Sequence, residues 1–174
     1  MEKHYFCNQK TTIMGYFDNL KGSVAEMFIA QGNLIAAVAV LTAEIGKATD
    51  ADEEGRLRLY RGNTLLKMGD VKDAEQDAQW FLDHKLSPLA EAWLLKARVL
   101  HAQGSLEDAL TYYNKVLDTD TAQAAVYKER GAVYMQMGDK EKAGQDLRAY
   151  LLANPSEAAA LSGQFEAEGK EGCH

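Results

Sequence analysis

The residues able to do chemistry are few, and their spacing fits no catalytic pattern. The histidines are His4, His84, His101 and His174, and the cysteines are Cys7 and Cys173. A zinc hydrolase of the common helical type needs two histidines one turn apart with a glutamate beside the first. A serine hydrolase of the elbow type needs its nucleophile flanked by glycines. Neither arrangement occurs, and neither does a Cys-x-x-Cys pair or a glycine-rich phosphate loop. Cys173 and His174 are metal-ligand types, but they stand alone at the chain end and read as a frayed terminus. The carboxylates Asp50, Asp52, Glu53 and Glu54 do not have the spacing of a calcium loop. They read as an acidic surface loop, or as acidic residues favoured at the start of the next helix. The expectation is therefore no catalytic residue, no metal and no cofactor, which leaves recognition as the chemistry to look for.

Recognition needs a scaffold, and the scaffold is written as a repeat. Gly32, Gly69, Gly104 and Gly138 each end an apolar helical pattern and precede Asn33, Asp70, Ser105 and Asp139. The intervals are 37 (32 to 69), 35 (69 to 104) and 34 (104 to 138) residues. A period of this size means stacked supersecondary units. Seven residues before each glycine stands a small residue: Ala25, Gly62, Ala97, Gly131. Five after it stands an alanine: Ala37, Ala74, Ala109, Ala143. Four before it stand Phe28, Leu65, Leu100 and Tyr134, and thirteen after it Ile45, Leu82, Leu117 and Leu151. A turn glycine takes the left-handed conformation at no steric cost. The Asn, Asp or Ser that follows caps the next helix, worth ~1 kcal/mol. Small residues facing each other across an antiparallel pair let the helices approach closely, and the large ones fill the space on either side.

These columns resemble the tetratricopeptide repeat, a 34-residue helix-turn-helix motif. The third unit carries Trp93, Leu100, Gly104, Ala109 and Tyr113. The fourth carries Tyr127, Gly131, Tyr134, Gly138, Ala143, Leu147 and Pro155. The second carries Gly62, Leu65, Gly69, Ala74 and Pro88, and the first Ala25, Phe28, Gly32, Ala37 and Leu41. The resemblance covers about residues 18–157. It implies an all-α fold, a right-handed α-solenoid of about four antiparallel helix hairpins with units near 18–53, 54–88, 89–120 and 121–155. Residues 156–168 are expected as a capping helix with Ala158, Leu161 and Phe165 on one stripe, and 169–174 as a frayed tail.

In this family the first helices of the units line a concave face that holds a peptide or helix of another protein. Carried over, that face would use Arg56, Leu59, Tyr60, Asn63 and Lys67 in unit two. Unit three would supply Glu91, Leu94, Arg98 and His101, and unit four Lys128, Ala132 and Met135. Asn63, Arg98 and Lys128 are candidates to accept a carboxylate or carbonyl together, and Leu59, Leu94 and Met135 are expected as exposed apolar contacts. The alternative is that the polar members are ordinary solvated helix residues. One specialised version of the family grips a terminal carboxylate pair with Lys and Asn in one helix, Asn in the next, and Lys and Arg in the third. Here Asn63 matches, but Leu59, Leu95, Ala125 and Glu129 occupy the other positions, and starting from unit one places Gly22 and Glu26 there. That specificity is excluded.

Composition agrees with one globular domain able to bury a core. There are 174 residues, 47% of them hydrophobic, with a formal charge of −7. The acidic balance disfavours nucleic acid as a partner. No apolar run reaches the ~18 residues that span a membrane, and nothing resembles a signal peptide. Two cysteines outside the repeats suggest a reducing, cytoplasmic setting. Residues 1–17 are either an additional packing arm through Tyr5, Phe6, Ile13 and Phe17 or, with Met14 as the start, partly upstream sequence. Three functions stay open: an adaptor for a peptide or helix of a partner protein, a chaperone of the secretion or assembly type, and a self-associating scaffold, for instance a homodimer.

Overall fold

The four turn glycines decide where the first helix of each unit stops. Their φ angles are +74° (Gly32), +84° (Gly69), +81° (Gly104) and +82° (Gly138), a region that a Cβ disfavours. At each turn the residue after the glycine donates its backbone N–H to the large residue of the preceding helix. Asn33 to Phe28, Asp70 to Leu65, Ser105 to Leu100 and Asp139 to Tyr134 all measure 2.9 Å. The same residues then start the next helix. Asn33, Asp70 and Asp139 side chains accept from the amides of Ala36, Asp73 and Lys142 at 3.2, 3.3 and 3.0 Å.

The computed structural model describes residues 23–119 and 124–159. Among them lie eight helices and no strand: α1 (Val24–Ala30), α2 (Leu34–Ile45), α3 (Ala51–Met68), α4 (Val71–Asp83), α5 (Leu89–Gln103), α6 (Leu106–Thr119), α7 (Ala124–Gln136) and α8 (Lys140–Ala153). Residues 155–159 are also helical. The expected N-terminal arm, Leu161, Phe165 and the tail lie outside the described residues. The acidic stretch expected as a surface loop mostly belongs to α3. Asp50 caps that helix by accepting from the Glu53 amide at 2.7 Å, and Glu53 accepts in return from the Thr49 amide and hydroxyl at 2.9 and 3.0 Å. Capping of this kind, with two more carboxylates, Asp52 and Glu54, at the positive helix end, starts the helix at Ala51.

The chain divides into two units, Met1–Leu95 and Lys96–His174. In the first, the small-residue columns meet as their volumes require. A Cβ placed on Gly62 would lie 3.5 Å from the Ala74 carbonyl oxygen, 3.3 Å from Asp77 Cβ and 2.6 Å from Leu95 Cδ2. Ala25, Leu41 and Leu57 form a buried cluster, with Val40, Ile45, Ala48 and Tyr60 packed around it. Asp77, fully buried on α4, accepts from Arg61 at 2.9 and 2.6 Å and from Arg58 at 3.1 Å. Arg61 also donates to Thr42 Oγ1 on α2 at 3.1 Å.

The second unit repeats that arrangement. A Cβ on Gly131 would lie 3.5 Å from the Ala143 carbonyl oxygen and 3.3 Å from Asp146 Cβ. Arg130 donates to both oxygens of buried Asp146, at 2.8 and 2.6 Å, and to Asn114 Oδ1 on α6 at 2.6 Å. Ala109, Tyr113, Val116, Val126 and Val133 form its buried interior.

Candidate functional site

In the first unit, the residues expected on the concave face divide by burial. Arg56, Tyr60 and Asn63 are half-buried and Lys67 is exposed in the last turn of α3. Asn63 Nδ2 donates to the Leu59 carbonyl at 2.8 Å, and Tyr60 leans on the apolar cluster. Leu59 and Leu94 are not exposed contacts: both are buried, at 0% and 5% exposure. Burying a leucine side chain is worth roughly 1.5–3 kcal/mol, so an apolar residue in this column is drawn into the packing. Glu91, expected on the same face, is also withdrawn from solvent. It is 4% exposed, its Oε2 has no hydrogen-bond partner among the described residues, and burial pushes its carboxyl up to about 7, against a smaller downward pull from its own backbone N–H.

In the second unit, Arg98 holds Glu129 bidentately, Nε at 2.8 Å and Nη2 at 2.6 Å, and the Tyr113 hydroxyl donates to the same carboxylate at 3.2 Å. Burial works against the Arg98 charge, but the Glu129 hydrogen bonds and charge outweigh it and hold the guanidinium above its ordinary range. Burial and then the Glu129 charge keep the Tyr113 hydroxyl neutral well beyond the usual tyrosine range. Lys128 lies 4.9 Å over the Tyr150 ring and 3.8 Å from Glu157. Asn63, Arg98 and Lys128, expected to accept a carboxylate jointly, therefore each engage an internal partner instead. Met135 is exposed as expected, at 56%.

Arg98 and His101 do come together. With Ala102, Gln103 and Gly104 at the end of α5 and Gln136 at the end of α7, they line an open cleft of about 650 Å³. On α7, the helix that ends at Gln136, Ala125, Lys128, Ala132 and Met135 form one exposed stripe, at the three-and-four spacing of a single helix face. Among the described residues no group of His, Cys, Asp or Glu is placed to hold a metal ion, and no helix is long and apolar enough to cross a membrane.

The Arg–Asp pairs were missed from sequence, although a signal was present. Arg61 and Asp77 lie eight residues before and after Gly69, and Arg130 and Asp146 lie eight before and after Gly138. Opposite charges in matching columns of two units are a readable pattern.

Comparison with known proteins supplies the frame. Residues 59–125 and 124–157 match two family profiles, each described as tetratricopeptide repeat, and together these span more than half of the chain. The mouse (Mus musculus) DnaJ homolog subfamily C member 3 is 30% identical over 139 residues, 72% of this chain and 27% of that protein. The chain thus spans about a quarter of the length of that relative. Among solved structures, MamA (residues 41 to the end) from Desulfovibrio magneticus RS-1 superposes with a TM-score of 0.63 at 17% identity, over 76% of this chain and 72% of that one. YrrB, described as a TPR protein with an unusual peptide-binding site, gives a TM-score of 0.62 at 20% identity, over 87% and 80%. With the glycine turns, the small-residue columns and these matches in place, the chain belongs to the tetratricopeptide repeat family and has its all-α solenoid fold of antiparallel helix hairpins.

Proposed function

We propose that the chain is a non-enzymatic protein-interaction module, and that it holds a peptide or helix of another protein against the first helices of its repeats. The observation that carries this is the cleft of the second unit, together with the exposed stripe of α7, the helix that lines the cleft through Gln136. Arg98, His101, Gln103 and Gln136 are polar residues of the cleft lining, and Met135, the residue before Gln136, is an exposed, flexible apolar one. A peptide needs that mixture: main-chain hydrogen bonds for affinity and a pocket for a side chain. YrrB, which has this fold, is described as binding a peptide, and the same use is proposed here.

Site-specific cross-linking tests the reading. A benzophenone amino acid replaces Met135 in one variant and Glu141, exposed on α8, in another. The protein cross-linked from Met135 is identified, purified and titrated calorimetrically against wild type and Met135→Asp. The expected result is a cross-link from Met135 that is absent from Glu141, and a loss of heat with Met135→Asp. Equal cross-linking from both positions, or undiminished binding by Met135→Asp, refutes it.

A second reading, self-association, is favoured by the exposure of Leu147 (47%) and Leu152 (82%) on α8. In the three earlier units the residue nine after the turn glycine, Leu41, Ala78 or Tyr113, is buried. Light scattering that gives a dimer mass, reduced to a monomer by Leu152→Glu, would support it.

A further inference from the structure

One face of α1 differs from the matching faces of α3 and α7. Five residues before the turn glycine stand Met27, Thr64 and Val133 in units one, two and four. Thr64 and Val133 are 2% and 0% exposed, whereas Met27 is 51% exposed. Eight before the glycine stand Val24, Arg61 and Arg130. Arg61 reaches Thr42 on α2 and Arg130 reaches Asn114 on α6, so this column faces the second helix of the preceding repeat. No described helix precedes α1, and Val24 is 51% exposed.

Residue type says what must cover this face. In units two and four the arginine is held by Asp77 or Asp146, and the upstream helix adds an oxygen. Unit one has Val24 and Val40 in the arginine and aspartate columns, and Val40 packs on the cluster of Ala25, Leu41 and Leu57. The end of a helical array is kept soluble by a polar outer face. Here α1 presents valine and methionine, which call for apolar cover. The chain carries such residues at the matching distance. The oxygen that Arg61 reaches lies 19 residues upstream, and the one that Arg130 reaches lies 16 upstream. The same offsets from Val24 run from Tyr5 to Asn8 and enclose Phe6 and Cys7. The 22 residues before Ser23 are enough chain to lie back along α1, whose seven residues span about 10 Å.

We propose that the face of α1 formed by Val24 and Met27 is a docking site for the chain's own N-terminal segment, with Tyr5 and Phe6 covering the two side chains. The segment takes the place that a preceding repeat's second helix holds in units two and four. It replaces the arginine-to-oxygen bond of those units with an apolar contact, and so closes the first end of the array to a further repeat or a second copy.

Cys7 lies inside the window and supplies a native thiol for the test. In the full chain with Cys173→Ser, Val24→Cys is oxidised with copper phenanthroline, and the joined peptides are identified by mass spectrometry after digestion. Lys72→Cys, exposed on α4, is the control. The expected result is a disulfide between Cys7 and position 24 within one chain, formed about tenfold faster than one to position 72. Hydrogen exchange gives a second measurement that needs no new thiol. In the double variant Tyr5→Asp, Phe6→Asp, the α1 amides from Met27 to Ala30 are expected to exchange about tenfold faster than in wild type, with those of α8 unchanged. Three results overturn the proposal. One is equal disulfide formation at positions 24 and 72. Another is a disulfide that joins two chains and increases with protein concentration, which makes a second copy the occupant. The third is exchange in α1 that is indifferent to the double variant.

Discussion

Glu91→Gln separates the ionisation of a buried carboxyl from its shape. Glu91 is 4% exposed, Oε2 has no partner among the described residues, and burial raises the carboxyl to about 7 from an ordinary 4.5. The folded chain therefore holds a proton there that the unfolded chain releases. The stabilisation from that proton is fully present below about pH 4.5 and is lost as pH rises through about 7. At about 1.4 kcal/mol per pH unit, the gap between 4.5 and 7 amounts to about 3 kcal/mol. Glutamine keeps the outline and never ionises. The assay is urea denaturation followed by helical circular dichroism, for wild type and variant, at pH 5 and pH 8. At pH 5, slightly above the ordinary value, the two proteins should differ by the cost of placing an amide nitrogen where an oxygen was, offset by about 1 kcal/mol of the ionisation effect. At pH 8 the variant should be more stable relative to wild type than it was at pH 5, by about 2–3 kcal/mol. Other titrating groups are common to both proteins and cancel in that double difference. A double difference near zero, or one of opposite sign, would show that the ionised carboxylate is accommodated in the fold and would refute the reasoning.

Five further variants have expected outcomes. Asp77→Ala leaves the guanidinium groups of Arg58 and Arg61 without their shared buried carboxylate and should cost about 3 kcal/mol in denaturant, whereas Lys142→Ala, which removes an exposed pair with Asp139, should leave the denaturation midpoint in place. Gly104→Ala forces a Cβ into a φ of +81° and should cost roughly 1–2 kcal/mol, read by thermal melting. Ala109→Leu overfills a fully buried small-residue position and should cost ~1–3 kcal/mol in the same assay. Arg98→Ala strips Glu129 of its bidentate donor; that pair is about a third exposed, so the cost should be about 1 kcal/mol, clearly less than that of Asp77→Ala.

The hairpins were legible because their determinants are local. A glycine that must take positive φ, a cap residue directly after it and a small residue at a fixed offset are all visible within one unit. Gly62 and Gly131, predicted to face Ala74 and Ala143, do so. The candidate site was less legible because its content depends on what covers each column. Leu59, Leu94 and Lys128 occupy the same column, ten residues before their turn glycines. The two leucines are buried and the lysine is exposed, so position named the column and residue type decided burial. The partner of Arg98 was hidden for a different reason. Glu129 lies on another helix 31 residues away, and nothing in the helical period links them. Glu91 has an anomalous environment only because of burial, which its own spacing does not reveal.

The bonds from Arg61 to Thr42 and from Arg130 to Asn114 carry a lesson about modularity. Each arginine belongs to one repeat but addresses the second helix of the repeat before it. Such a unit inspects its predecessor: the upstream helix must offer an oxygen at one defined place. Excising a repeat, duplicating one or shuffling the order would set a different side chain against that guanidinium. The array is thus ordered rather than interchangeable, and a graft into a consensus scaffold should carry the upstream threonine or asparagine along with the arginine and its aspartate.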